Sequence, residues 1–253
     1  MKTVYFTVLM AVALVLMVTS VPVHASQMDD HIVSSARSSY NFKTYLKDDS
    51  IQIQSTDGAV TLTGIVSEEF HKTLAKDTVA DLPGVISVDN RLEVKGVSPS
   101  INSDAWIMDN VKSALMFHRS VNARKTRIDV KDGIVTLSGT ATSQAQKDLT
   151  TEYAKDVEGV KDVNNEMTVS PSGDNSLPGT IVEIVDDASI TSQVNMALLL
   201  HRSTSFLHTT VSTYRGVVTV GGTALNAAEV DLVTKLVSDI YGVKSVINRM
   251  KIR

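Results

Sequence analysis

The chain has 253 residues, is 43% apolar and 21% charged, and carries a formal charge of −4, the profile of an ordinary folded protein long enough for one large domain or two to three small ones. The negative balance argues against a general nucleic-acid binder, whose footprint is basic. Cysteine is absent, which excludes disulfides, a thiol nucleophile and acylation of a lipoprotein cysteine, so any fold here rests on apolar cores alone.

Residues 1–25 stand apart from the rest. Lys2 gives a positive start, Val4 to Val18 is an uncharged run of fifteen residues, and Val23-His24-Ala25 suits signal peptidase. This is the pattern of a secretory signal peptide cleaved after Ala25. The run falls short of the ~20 apolar residues that cross a bilayer, and no basic cluster follows it. Cleavage and release into the periplasm is therefore favoured over a retained anchor.

Beyond it one unit is written three times. The hairpin segments DGAVTLTG at 57–64, DGIVTLSG at 132–139 and RGVVTVGG at 215–222 open the match. Twenty residues past Gly64, Gly139 and Gly222 stand Gly84, Gly159 and Gly242, each followed by valine, and six residues further stand Asn90, Asn165 and Asn248. Such a fixed register marks tandem copies, placed at 28–96, 102–170 and 184–253.

The first unit opens with a helical stripe of Ile32, Ala36, Tyr40 and Phe42. The second shows the plan in full. Trp106, Ile107, Val111, Ala114, Leu115 and Phe117 recur at helical spacing behind Asp104, a candidate N-cap. Ile128 and Val130 alternate with polar residues up to Asp132-Gly133, and Ile134, Val135 and Leu137 follow. Two alternating runs joined by Asp-Gly predict a hairpin. A second helix is expected over 143–157 with Ala145, Leu149, Ala154 and Val157 inward, stopped by Gly159 in the left-handed conformation. Val160, Val163, Met167 and Val169 predict a closing strand. The third unit repeats the plan with Ile190, Val194, Leu198 and Leu200.

The expected architecture is α+β: three small α-β-β-α-β domains, each a three-stranded mixed sheet with two helices on one face. Gly58, Gly133 and Gly216 belong to turns, and Gly64, Gly139 and Gly222 to strand ends. Gly84, Gly159 and Gly242 stop helices, so all nine have structural reasons to be there. The stretch between units one and two is short. Residues 171–181 hold Pro171, Gly173, Pro178 and Gly179 and read as a flexible linker. On that basis units one and two are expected to dock, with the third looser.

The pattern resembles the BON domain family, on the D-G-x-V-x-L-x-G hairpins at 57–64 and 132–139, the Gly-Val after each second helix, and I-T-S-x-V-x-x-A-L-L at 190–199. The third copy departs where Arg215 replaces the turn Asp and Val220 the usual Leu. The resemblance implies a periplasmic protein of the osmotic or envelope stress response that associates with phospholipid head groups. Relatives in the family usually carry one or two copies.

Enzyme chemistry finds no foothold: G-x-S-x-G and phosphate-loop motifs are absent, and no cofactor is implied. His118 and His201 each begin a His-Arg-Ser at the end of a first helix, where a cation favours the helix C-terminus. With His208 they lack partners for a metal. Formal charge climbs from −4 in unit one (seven basic, eleven acidic) to −1 in unit two (nine basic, ten acidic), and unit three is positive.

His118, Arg119, Arg124, Lys125 and Arg127 crowd into ten residues. They read either as a solvated loop or as a patch for anionic head groups, where each basic residue contributes on the order of 1 kcal/mol. Trp106, the sole tryptophan, is either an interfacial anchor or a packed cap. The leading expectation is a binder of anionic phospholipid surfaces. The alternatives are a periplasmic holdase for exported client proteins, exposing apolar surface, and an adaptor for peptides at a sheet edge.

Overall fold

A computed structural model describes residues 23–96, 98–170 and 184–253, and side chains from residue 27 onward. The expected signal peptide falls outside the described residues except for 23–25, and the expected linker 171–181 falls outside them entirely.

Three copies of one α+β domain are seen. Domain 1 comprises α1 (Val23–Ser38), α2 (Tyr40–Thr44), β1 (Ser50–Thr56), β2 (Ala59–Val66), α3 (Glu69–Ala80) and β3 (Ser87–Val94). Domain 2 comprises α4 (Asp104–Met116), β4 (Thr126–Lys131), β5 (Ile134–Ala141), α5 (Gln144–Lys155), β6 (Asp162–Asn165) and β7 (Thr168–Val169). Domain 3 comprises α6 (Asp187–Leu200), β8 (Thr209–Tyr214), β9 (Val217–Ala224), α7 (Ala227–Ser238), β10 (Ser245–Asn248) and β11 (Lys251–Ile252). In each sheet the second strand is central, antiparallel to the first and parallel to the closing strand. Ile53, Val60, Leu62 and Leu92 line the covered face of the first sheet, while Gln52, Gln54, Asp89 and Arg91 alternate onto the open one.

Each hairpin turns on two residues with positive φ: Asp57 and Gly58, Asp132 and Gly133, Arg215 and Gly216. This is the left-handed pair that a two-residue turn needs. Arg215 adopts it at φ 52° because the turn is held from outside. Asp187 accepts hydrogen bonds from Arg215 N (2.6 Å) and Gly216 N (2.8 Å). Asp29 does the same for Asp57 and Gly58, and Asp104 for Asp132 and Gly133. Asp104 is therefore a turn clamp rather than the N-cap. Ser103 caps α4, its hydroxyl accepting from Trp106 N at 3.2 Å.

The landmark asparagines tie the closing strand to the second helix. Asn90 donates to Lys72 O, Asn165 to Lys147 O and Asn248 to Val230 O, at 2.9, 2.9 and 3.0 Å. In α5 the inward stripe is shifted from the expected one. Ala145 and Leu149 are exposed, and Thr150, Ala154 and Val157 are buried. Thr150 tolerates burial because its hydroxyl donates to Gln146 O at 2.7 Å.

Domains 1 and 2 meet as expected, Lys112 donating to Glu68 at 2.5 Å, but domain 3 is not the looser unit that its linker suggested, because it docks against both others. α6 is apolar around most of its circumference and buries ten of its fourteen residues, as a helix surrounded by protein must. Against domain 1 it presents Ser189, Ser192 and Gln193. There the fully buried Asn41 donates to Thr78 Oγ1 (2.8 Å), Ser192 Oγ (2.7 Å) and Ser189 O (3.3 Å), and accepts from Gln193 Nε2 (2.8 Å). Asp186 caps α6 through Ser189 N and also accepts from Tyr40 N at 2.7 Å. Phe117 of domain 2 reaches the same core, edge-on to Tyr45 with ring centroids 5.3 Å apart.

Candidate membrane-facing surface and interdomain contacts

Domains 2 and 3 meet through a duplicated contact. The end of each first helix pairs, as an antiparallel bridge, with the end of the other domain's second helix: His118 with Ile240, and His201 with Val157. Around each bridge a His-Arg-Ser grips an aspartate of the other domain. Asp239 receives Ser120 Oγ, His118 Nδ1 at 3.4 Å and Arg119 Nε at 3.7 Å. Asp156 receives Ser203 Oγ at 2.6 Å, His201 Nδ1, and Arg202 Nε at 3.4 Å. The symmetry is broken by Tyr153, which stacks on His118 with centroids 3.9 Å apart and donates to Asp239 at 2.8 Å. Leu236 stands at the matching place in domain 3.

This settles where the anticipated surface residues lie. His118 is 3% exposed and belongs to the interface. Arg119 lies there too, donating to Ser238 O and to Val243 O. His118 is closed off from any head group, whereas the Arg119 side chain, held by these contacts, stays half-exposed. Arg124 and Lys125 sit on a short turn that Asn122 organises by accepting from Lys125 N at 3.2 Å. With Arg127, at the start of β4, they are exposed. Trp106 is half-buried against the domain 2 core. It follows by two residues Asp104, which clamps the hairpin turn, while the basic trio lies around the start of β4, at the opposite end of α4. About 15 Å of helix separates them, so they do not form one patch.

A BON domain profile matches residues 28–96, 103–171 and 186–253. The chain belongs to the BON domain family. The osmotically-inducible protein Y of Escherichia coli (strain K12) is 32% identical over 148 residues, covering 58% of this chain and 72% of that protein. An uncharacterised protein of Anaplasma centrale is 26% identical over 150 residues, covering 59% of this chain and 95% of its own length. CdsD, a structural protein of the type III secretion system of Chlamydia trachomatis, is 16% identical over 88% of this chain and 91% of that one. Its TM-score of 0.24 is too low to define a shared arrangement.

The paired aspartates of the second and third BON domains were missed in the sequence although a signal was present. Asp156 and Asp239 each precede the helix-stopping glycine by three residues, and only these two units carry His-Arg-Ser. Domain 1 keeps the aspartate, Asp81, but has Lys43-Thr44-Tyr45 in place of the tripeptide. Among the described residues no three His, Asp or Glu side chains gather as a metal site requires.

Burial, then the neighbouring His118 and Arg202 charges, hold His201 down to about 4. Its unfolded value is near 6.5, so between those limits the unfolded chain binds the extra proton and stability falls as pH falls. The full effect is about 3 kcal/mol. Asp81, raised to about 6 by burial and Asp77, runs the other way. The readout is therefore a difference: between pH 7 and pH 4.5, wild type should lose more unfolding free energy in urea than H201N does. Equal losses would show that His201 is not neutral in the fold.

Proposed function

We propose that this BON protein acts at the periplasmic face of the envelope under osmotic stress, where its second domain adsorbs to anionic phospholipid. The stress assignment draws on the osmotically-inducible protein Y of Escherichia coli as a relative. Export would remove residues 1–25. Cleavage after Ala25 trims only the first turn of α1 and keeps Asp29, Ile32 and Ala36, which carry its contacts. Among the described residues no helix is long and apolar enough to cross a membrane, which suits peripheral attachment.

The observation that carries the lipid reading is the state of the basic trio. Arg124, Lys125 and Arg127 are exposed within four positions, and no carboxylate pairs with them among the ion pairs of the described residues. Each cation near an anionic bilayer contributes on the order of 1 kcal/mol, so together they are worth roughly a hundredfold in affinity. Screening over about 10 Å at 0.1 M salt makes that attraction salt-sensitive.

Wild-type protein should sediment with vesicles containing phosphatidylglycerol, much less with phosphatidylcholine alone, and less again in 0.5 M salt. The R124S/K125S/R127S variant should sediment roughly a hundredfold more weakly with an unchanged circular dichroism spectrum. Sedimentation equal to wild type would remove this tip from the function. Trp106 emission is a poor substitute readout, since the indole is already half-buried. A holdase reading has its own support in widely exposed Ile86, Ile101 and Ile184. Suppressed aggregation of an unfolded client by protein that ignores vesicles would favour it.

A further inference from the structure

We propose that domain 3 carries an apolar wedge, Leu207 with Leu225, that enters the head-group layer of an anionic bilayer. The proposal rests on the membrane reading of domain 2 and adds a second contact to it. Leu207 is 90% exposed and Leu225 65% exposed, and they lie on two loops that one buried side chain binds together. Glu229, 6% exposed, accepts from Ser205 N at 2.6 Å and from Leu225 N at 2.7 Å. Leu207 follows two residues after Ser205 on a short turn whose Phe206 packs into the core. The leucines are therefore held out on a fixed support rather than on loose chain.

The repeats make the choice of side chain conspicuous. In the glycine register, Asp49 of domain 1, Arg124 of domain 2 and Leu207 of domain 3 share one position before the first strand, and Leu225 matches Thr142. The same scaffold position is thus acidic, basic and apolar in turn. The basic and apolar versions are the two chemistries that a surface of anionic head groups over acyl chains accepts.

The surroundings agree in charge. His208 is exposed beside Leu207. Arg253 is fastened near Leu225, its N–H donating to Ala224 O at 3.0 Å and its Nε to Thr223 Oγ1 at 3.2 Å. The carboxylate between the loops, Glu229, is turned inward onto the two amides. The Arg253 cation beside an apolar tip, with the neighbouring carboxylate turned inward, is complementary to an anionic bilayer, and an isolated pair of leucines is too small a surface for a stable protein interface.

The chain has no cysteine, so single L207C and L225C variants of the full mature chain can carry an environment-sensitive fluorophore at one defined site. With phosphatidylglycerol vesicles the label on either residue should shift to the blue and be quenched by a shallow bilayer-bound quencher. The L207S/L225S variant should bind these vesicles roughly tenfold to a hundredfold more weakly than wild type, with unchanged thermal stability because both side chains are exposed. If wild type binds, the double variant binds equally and the label keeps its aqueous emission, the wedge is wrong and the domain 2 reading stands. If binding weakens while the label stays aqueous, the leucines touch something other than lipid and the wedge is again overturned. If wild type itself ignores anionic vesicles, both readings fall together.

Discussion

Replacing Phe117 by alanine is expected to cost about 3–5 kcal/mol and to separate the unfolding of the three domains. Phe117 belongs in sequence to the second BON domain, yet it is 0% exposed and packs into the core shared by domains 1 and 3. Its ring meets Tyr45 edge-on, and Phe70 lies 6.5 Å away, also edge-on. Its carbonyl accepts from Tyr241 N of domain 3 at 3.2 Å. One residue thus touches all three units, and truncation of its ring opens a cavity where they converge. Urea unfolding followed by circular dichroism reports the whole chain, whereas Trp106 fluorescence reports domain 2. The two curves should coincide in wild type and part in F117A. Coincident curves with a loss under about 1 kcal/mol would show that the junction contributes little.

The repeat and its internal fold were legible because local pattern decides both. Alternation around Asp-Gly, the glycine register and the helical stripes name the elements without knowledge of what surrounds them. The docking of domains was not legible from the linkers. Proline and glycine in 171–181 describe a connection's stiffness, while docking depends on the faces at its ends. The informative residues were elsewhere. α6 has apolar residues on nearly every side, more than one small sheet can cover, and it interrupts them with Ser189, Ser192 and Gln193, whose partner is Asn41, some 150 positions earlier.

The candidate surface divided for a related reason. A crowd of basic residues in sequence says nothing about which of them face a partner domain. His118 and Arg119 end a helix that abuts domain 3, and Arg124 to Arg127 lie past it on an open turn. Leu207 and Leu225 went unremarked because isolated exposed leucines are common. They gain meaning only beside the equivalent basic turn of domain 2 and the Glu229 clamp.

Replacing Asp239 by alanine is expected to cost about 3–5 kcal/mol, more than the same change at Asp156. Burial pushes the Asp239 carboxyl up, but hydrogen bonds from Ser120 and Tyr153 and the adjacent His118 outweigh it and hold the carboxyl below its ordinary value. Its removal leaves the Tyr153 hydroxyl without the acceptor it has at 2.8 Å, leaves Arg119 without a counter-charge and takes away the carboxylate that His118 faces. Asp156 has Ser203, His201 and Arg202 but no stacked tyrosine hydroxyl, so its loss strands fewer buried donors. Asp239→Asn keeps an acceptor for Ser120 but turns a donor towards Tyr153 or His118, and should fall between wild type and D239A. Because the carboxylate is the stabilising form, the gap between wild type and D239A should be full at neutral pH, narrow once pH falls into the ordinary carboxylate range, and be lost only as pH falls through the lowered native value. Urea unfolding of wild type, D239A, D239N and D156A at pH 7 and pH 3.5 tests both the ranking and the narrowing. Equal losses for the two alanine variants would mean that the paired contacts are energetically symmetric and that Tyr153 adds nothing to its side.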